Sequence, residues 1–253
     1  IINKMGNNAL HCAADSHNDN RDILNLLIEN GINVNLRNQN GATALHLACR
    51  KGVYENVKLL LDFGALINTT DKDDKNTLHY ASESQKDNRK LIKLLTKHGI
   101  DIDSQNHYGA TALQLACRQG VYENAEILLN SGASINMMDK RDNNLLHYAS
   151  ESQEINQYII TKLIEEGIDV NAQNGNGATA LQLACLQGVY KNVKILLDFG
   201  ASINILDKDK MNALHYASQS LKDNRDVMKL LIEKGIDVNV QDENGKTALQ
   251  LAC

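Results

Sequence analysis

Leu10, Leu45, Leu78, Leu113, Leu146, Leu181, Leu214 and Leu249 stand in the same local sequence, separated alternately by 35 and 33 residues. Leu45, Leu113, Leu181 and Leu249 are therefore 68 apart, as are Leu10, Leu78, Leu146 and Leu214, so the chain is built from a 68-residue double unit. A period in the thirties restricts the fold to small supersecondary units stacked side by side, none able to bury its apolar face alone. The functional question then concerns an extended surface rather than a catalytic pocket.

Residues 38–70 show one unit most clearly. Asn38-Gln39-Asn40-Gly41 is turn chemistry, and Thr43-Ala44 leads into a short helix around Leu45-His46-Leu47-Ala48-Cys49. Gly52 ends that helix. A second helix over Val53 to Asp62 carries Val57, Leu60 and Leu61 at amphipathic spacing, Gly64 stops it, and Ala65-Leu66-Ile67-Asn68 returns the chain in extended form. The longer units insert two residues between the helices, as in Ser16-His17-Asn18-Asp19-Asn20-Arg21, Ser84-Gln85-Lys86-Asp87-Asn88-Arg89 and Ser220-Leu221-Lys222-Asp223-Asn224-Arg225. Their Asp-Asn pairs are expected to cap the second helix. The loops read as a structural variant inherited with a duplicated two-repeat block, or as a second partner surface.

Composition narrows the function classes. The apolar runs, such as Leu59-Leu60-Leu61, fall far short of the roughly 20 residues of a membrane helix, so no membrane insertion is expected. The net charge of −5 has both signs interspersed, and no basic stripe of the kind that neutralises phosphates is visible, so nucleic acid is not an expected partner. Cys49, Cys117, Cys185 and Cys253 occupy one site in alternate repeats. With packed helices about 8–10 Å apart, such sites lie roughly 20 Å from each other, too far for a disulfide or a shared zinc ion. They read as small buried residues of a reducing, cytoplasmic compartment, and all five cysteines, Cys12 included, are expected to be reduced and mostly unreactive.

The run Thr43-Ala44-Leu45-His46-Leu47-Ala48, then Gly52, Leu60-Leu61 and Gly64-Ala65, resembles the ankyrin repeat. The resemblance covers the whole chain as a single domain, residues 1–253: units 3–37, 38–70, 71–105, 106–138, 139–173, 174–206 and 207–241, with a partial eighth at 242–253. It implies an all-α solenoid, a curved stack of antiparallel helix pairs with β-hairpin-like turns, that binds a protein or peptide along its concave face of turn tips and first helices. The chain has no proline; Ala44, Ala112, Ala180 and Ala248 take the place of the family's usual one. Asn8, Asn76, Asn144 and Asn212 stand where threonine would, and can equally start a helix. Asp74, Asp142 and Lys210 replace the tip glycine, with Lys210 expected to be strained or to adopt another turn. Because the chain stops inside the eighth first helix and solenoids need polar caps, the natural protein is expected to continue further.

Candidate chemistry reduces to repeat structure. His11, His46, His79, His147 and His215 each belong to a separate unit, too dispersed for metal or acid–base work; the ankyrin resemblance implies that this histidine hydrogen-bonds the neighbouring turn, and Gln114, Gln182 and Gln250, which replace it elsewhere, can do the same. Gly245-Lys246-Thr247 lacks the upstream glycine of a phosphate loop, that position being Val240. Tyr80, Tyr148 and Tyr216 take the place of Leu47 and Leu115 and read as core-edge packing. Asn171 and Asn239, each preceded by Asp-Val, resemble sites of asparaginyl hydroxylation in ankyrin repeats; a turn asparagine bonding its own backbone is the competing explanation. No cofactor and no metal are expected, and the chain is expected to be a monomer with no catalysis of its own.

Free surface positions change character along the chain. Gln39, Asn40, Arg50, Lys51, Lys72 and Asp73 in the early units are polar; His107, Tyr108, Met138, Lys140, Arg141, Leu186, Leu206 and Met211 follow later. Arg50-Lys51, Arg118-Gln119 and Leu186-Gln187 are equivalent pairs in which charge gives way to an apolar side chain. A partner is therefore expected to dock on units four to seven near Tyr108, Arg141 and Leu186, with Arg118 beside them and the basic units two and three, Arg50 and Lys51 among their residues, steering an acidic flank. Two other readings are a regulatory or targeting segment of a larger enzyme, channel or secreted effector, and a small-ligand groove.

Overall fold

A computed structural model describes residues 2–252; Cys253, and the burial expected of it, lies outside them. Among the described residues the secondary structure is helical, with two isolated antiparallel bridges, Gln173↔Thr179 and Gln241↔Thr247, at turn bases. The helices run in pairs. The first four pairs are α1 Ala9–Ala14 with α2 Arg21–Glu29, α3 Ala44–Lys51 with α4 Tyr54–Asp62, α5 Thr77–Ser82 with α6 Arg89–Lys97, and α7 Ala112–Gln119 with α8 Tyr122–Asn130. Next come α9 Leu145–Ser150 with α10 Gln157–Glu165, α11 Ala180–Gln187 with α12 Tyr190–Asp198, and α13 Ala213–Ser218 with α14 Arg225–Glu233, before a last helix, α15 Ala248–Leu251.

These helices fall into two compact units, one of Ile1–Ala116 with Glu123–Ser134 and one of Cys117–Tyr122 with Ile135–Cys253. Within the first, α3 packs on α1, α4 and α5; within the second, α11 packs on α9, α12 and α13. Leu10, Leu45, Leu78 and Leu113 are buried in the first unit, and Leu146, Leu181 and Leu214 in the second, as the 33/35 period requires. Leu249 is exposed.

The first helices begin as the sequence suggests. Asn76 Oδ1 accepts from the N–H of Leu78 and His79 (3.0 and 3.1 Å), while His79 Nδ1 accepts from the Asn76 N–H (3.2 Å). This reciprocal cap satisfies donors that a helix start otherwise leaves open. His79 Nε2 then donates to the Ala110 carbonyl at 3.0 Å, and His147 Nε2 to that of Ala178 at 3.1 Å. Gln182 does the same work with an amide: its Oε1 accepts from the Thr179 N–H at 2.7 Å and its Nε2 donates to Met211 O at 2.8 Å. At the turn tips Asp74, Asp142 and Lys210 all take positive φ (57°, 58° and 59°), so Lys210 adopts the left-handed conformation foreseen as strained.

The second helices begin differently from expectation. Asn20, Asn88 and Asn224 occupy the N-cap position without a side-chain cap. Asn88 Nδ2 donates backwards to Ala81 O at 2.8 Å, and Asn224 Nδ2 to Ala217 O at 3.0 Å, tying the two helices of a pair together. The preceding aspartate is the cap: Asp87 Oδ1 accepts from the Arg89 N–H at 3.1 Å and Asp223 Oδ1 from that of Arg225 at 3.3 Å. A further residue holds three of the four long loops. Asn56, Asn124 and Asn192, buried mid-helix, accept from the N–H of Asn20, Asn88 and Asn156 (2.9, 2.7 and 2.8 Å). Their Nδ2 atoms donate to the carbonyls of Asn18, Lys86 and Glu154. The extra two residues are thus clamped by the following repeat, which supports the structural reading of these loops. Gly52 completes the joint, since a Cβ there would come 2.5 Å from Asn88 Oδ1 and its φ is +70°.

Cys49, Cys117 and Cys185 are buried, and desolvation raises all three thiols, Cys117 to about 12. Cys12 departs from the expected protection. It stands where Tyr80 stands in the third unit and is exposed, so burial does not shield its thiol.

Candidate functional site

Three of the four longer repeats hide a polar pair at the base of the turn; the first has Asn3 and Cys12 at those positions. Tyr80, Tyr148 and Tyr216 donate their hydroxyls to Asp71, Asp139 and Asp207 at 2.7, 2.8 and 2.7 Å. The other oxygen of Asp139 accepts from the Arg141 and Asn143 N–H groups, both at 2.8 Å. Burial acts to raise the Asp139 carboxyl, but the Asn143, Tyr148 and Arg141 hydrogen bonds outweigh it and hold it below the usual carboxylate range. Desolvation, aided by the aspartate, pushes the three phenols well above their ordinary value. The tyrosines are therefore more than core-edge packing. A signal was present: Asp accompanies Tyr nine residues on, whereas Asn38, Asn106 and Asn174 accompany Leu47, Leu115 and Leu183.

The expected partner-binding residues are divided between the two units. In the first unit Arg50 Nη2 is 2.8 Å and Lys51 Nζ 3.5 Å from Asp15 Oδ1, so both cations already serve an internal acid, which weakens the case for a steering role. His107 and Tyr108 project together, rings edge-on at 5.6 Å, with His107 Nδ1 3.8 Å from Asp74 and Tyr108 59% exposed. In the second unit the Arg118 guanidinium lies over the Tyr148 ring, 5.8 Å from its centroid. Lys140 and Arg141 are exposed on the adjoining turn. Met138 and Leu206 are exposed at equivalent positions 68 residues apart, and Leu186 and Met211 are half-buried, with Gln219 Nε2 3.5 Å from the Met211 sulfur.

Asn171 is half-buried; its Oδ1 accepts from the Ser202 N–H at 2.7 Å, just as Asn35 accepts from Leu66 at 2.8 Å. That bond to the next repeat explains an asparagine there. Asn239 is exposed, its N–H bonded to Asp237 Oδ1 at 2.9 Å. Among the described residues no group of three or more His, Cys, Asp or Glu is placed to hold a metal ion, and no helix is long and apolar enough to cross a membrane. An open depression of about 430 Å³ is lined by Gly52, Tyr54, Asp87, Asn88, Arg89, Lys90 and Leu91, and none of the expected site residues reaches it.

One surface feature was missed. The Asp-Asn-Arg of three long loops becomes Ile155-Asn156-Gln157 in the fifth unit, followed by Tyr158. Ile155 and Tyr158 are exposed, and Tyr158 packs edge-on against Tyr122 at 4.1 Å. Comparing that loop with its three counterparts would have revealed the exchange of an ion pair for apolar side chains.

Comparison with known proteins bears on the family. The model for ankyrin repeats (3 copies) matches residues 10–106, 78–174 and 146–242. The chain belongs to the ankyrin-repeat family. The crystal structure of the human ASB11 ankyrin repeat domain is similar over 91% of this chain and 99% of that one, with a TM-score of 0.75 and 25% identity. Among curated relatives, the palmitoyltransferase AKR1 of Lachancea kluyveri is 32% identical over 213 residues, covering 82% of this chain and 28% of that protein. Mouse Rabankyrin-5 is 32% identical over 219 residues (81% and 18%), and the mouse B-cell lymphoma 3 protein homolog 30% over 205 (79% and 45%). This ankyrin chain therefore spans less than half the length of each of these relatives, and ankyrin repeats point to protein partners.

Proposed function

We propose that this ankyrin array is a non-catalytic, monomeric, cytoplasmic scaffold that binds a protein or peptide through its turns and first helices. The observation that carries the reading is the exchange of exposed and half-buried side chains on a fixed framework. Leucines, glycines and caps repeat every 68 residues, while Arg50, Arg118 and Leu186 occupy one position, and Thr70, Met138 and Leu206 another. A framework that needs neither arginine nor leucine there leaves the choice to a partner. The first unit offers His107 and Tyr108. The second offers Arg118, Met138, Lys140, Arg141, Leu186, Leu206 and Met211, aromatic, arginine and apolar groups of the kind that dominate binding energy. Asn171 and Asn239 are the positions proposed for asparaginyl hydroxylation.

A second reading, a regulatory or targeting segment of a larger protein, is supported by the relatives, which include a palmitoyltransferase matched over 28% of its length. Both readings share the surface. With a partner isolated by affinity capture, Tyr108→Ala and Leu186→Asp are each expected to weaken binding by more than about 1 kcal/mol, measured by calorimetry. Binding that survives both changes and is abolished by Arg50→Glu would place the contact in the early units instead.

A further inference from the structure

An acid follows three of the short first helices, as Asp15, Glu83 and Glu151, and the first two are met by cations of the array itself. Asp15 is met by Arg50 and Lys51 from the following repeat. Glu83, its equivalent 68 residues on, is met by Lys75 from its own turn, Nζ to Oε1 2.6 Å. The next equivalent is Glu151. The register places Asn143 where Lys75 stands, and Leu186 and Gln187 where Arg50 and Lys51 stand. Every cation that serves the first two acids has been exchanged for a neutral side chain. One double unit later the acid has gone too: Met211 and Gln219 occupy the positions of Lys75 and Glu83 and contact each other at 3.5 Å. Glu151 is thus a carboxylate without a counterpart of the cations that meet Asp15 and Glu83.

Its surroundings make that costly without a ligand. Glu151 is half-buried, and α9, which it follows, packs on α11, which bears Leu186. Among the described residues no cation lies within ion-pair distance of it. Arg118, engaged over Tyr148, and Arg141, on the turn, act on it from farther away, as does the Asp139 carboxylate, and desolvation leaves its carboxyl raised above the ordinary glutamate range. Arginine nearby does not exclude a lysine, because Arg50 stands toward Tyr80 as Arg118 does toward Tyr148, and Lys75 still reaches Glu83.

We propose that Glu151 receives a lysine side chain presented by a partner polypeptide, the ammonium taking the place Lys75 takes beside Glu83 and Leu186 covering its four-carbon stem. The stem-and-head character of lysine suits a carboxylate beside apolar surface. This rests on the protein-binding reading above and names the chemistry of the partner at one anchor.

The probe is the peptide acetyl-Ala-Ala-Lys-Ala-Ala-amide, titrated into protein carrying ¹³C-labelled glutamate carboxyls, with the Glu151 resonance assigned through Glu151→Gln. The lysine peptide is expected to shift that resonance saturably and to lower its titration midpoint by about 1 pH unit. The same peptide with Nε-acetyl-lysine leaves it unchanged. Asn143→Lys, which copies the turn already present at Lys75, moves the resonance without peptide and weakens the peptide response at least about tenfold. No response to the lysine peptide, an equal response to the acetylated one, or undiminished binding in Asn143→Lys would each overturn the proposal. If those failures accompany loss of partner binding in Leu186→Asp, the scaffold reading stands and only the lysine anchor falls.

Discussion

Leu146→Ala is expected to lower the unfolding free energy by about 2–5 kcal/mol, read from urea melts, whereas deleting residues 242–253 leaves the remaining repeats folded with a smaller loss. Leu146 is 1% exposed at the start of α9, which packs against α10 and α11. Removing its side chain opens a cavity that neighbouring helices close only partly, and in a stack each unit is held through its neighbours. Residues 242–253 contribute one short helix, in which Leu249, the equivalent of Leu45, is 75% exposed. Equal losses for the two changes would contradict a stack held by interior neighbour contacts.

The second large effect is expected from acid. His46 is enclosed, and burial lowers its imidazole from 6.5 to about 4; His11, His79 and His147 are lowered for the same reason, each against a backbone carbonyl that works to raise it. The folded protein thus holds these rings neutral, while the unfolded chain protonates them near pH 6.5. Stability is therefore complete above about pH 6.5 and falls as the pH is lowered toward 4, where the His46 contribution is exhausted. For His46 alone the interval corresponds to about 3 kcal/mol. His46→Gln isolates it, because Gln182 makes the same two kinds of hydrogen bond with a group that does not titrate. The variant should lose less stability than the natural chain between pH 7 and pH 4.5. Identical pH profiles would show that His46 is not held neutral.

The framework was legible because it repeats. A leucine every 33 or 35 residues could only be a stacking residue, and the glycines that follow the second helices could only be stops. The asparagines before the first helices read as caps because one side-chain oxygen can reach two N–H groups. Asn56, Asn124 and Asn192 were harder to interpret: a polar residue inside an amphipathic helix looks like its solvent face, and only the coordinates show it reaching back 36 residues to the previous loop. The Tyr–Asp pairs were hidden similarly, since tyrosine in place of leucine suggests packing until the matching Asn-to-Asp exchange nine residues earlier is noticed.

For the candidate surface, sequence comparison located positions that the framework leaves free, including Tyr108 and Leu186, but not their surroundings. Arg50 looked like a free cation and is held by Asp15. Glu151 drew no reading from the sequence alone, because its meaning depends on three other positions brought to it by the register. Ile155 and Tyr158 add a second apolar patch on the loop side of the second unit, distinct from the turns that bear Arg141 and Met211.

Amide hydrogen exchange with and without a captured partner separates these surfaces. Protection is expected in residues 106–110 of the first unit and in 139–142, 186–188 and 207–211 of the second, with Arg21–Glu29, Arg89–Lys97 and Arg225–Glu233 unchanged. Protection confined to the second helices, or to the loop bearing Ile155 and the helix start at Tyr158, would contradict binding through the turns and first helices.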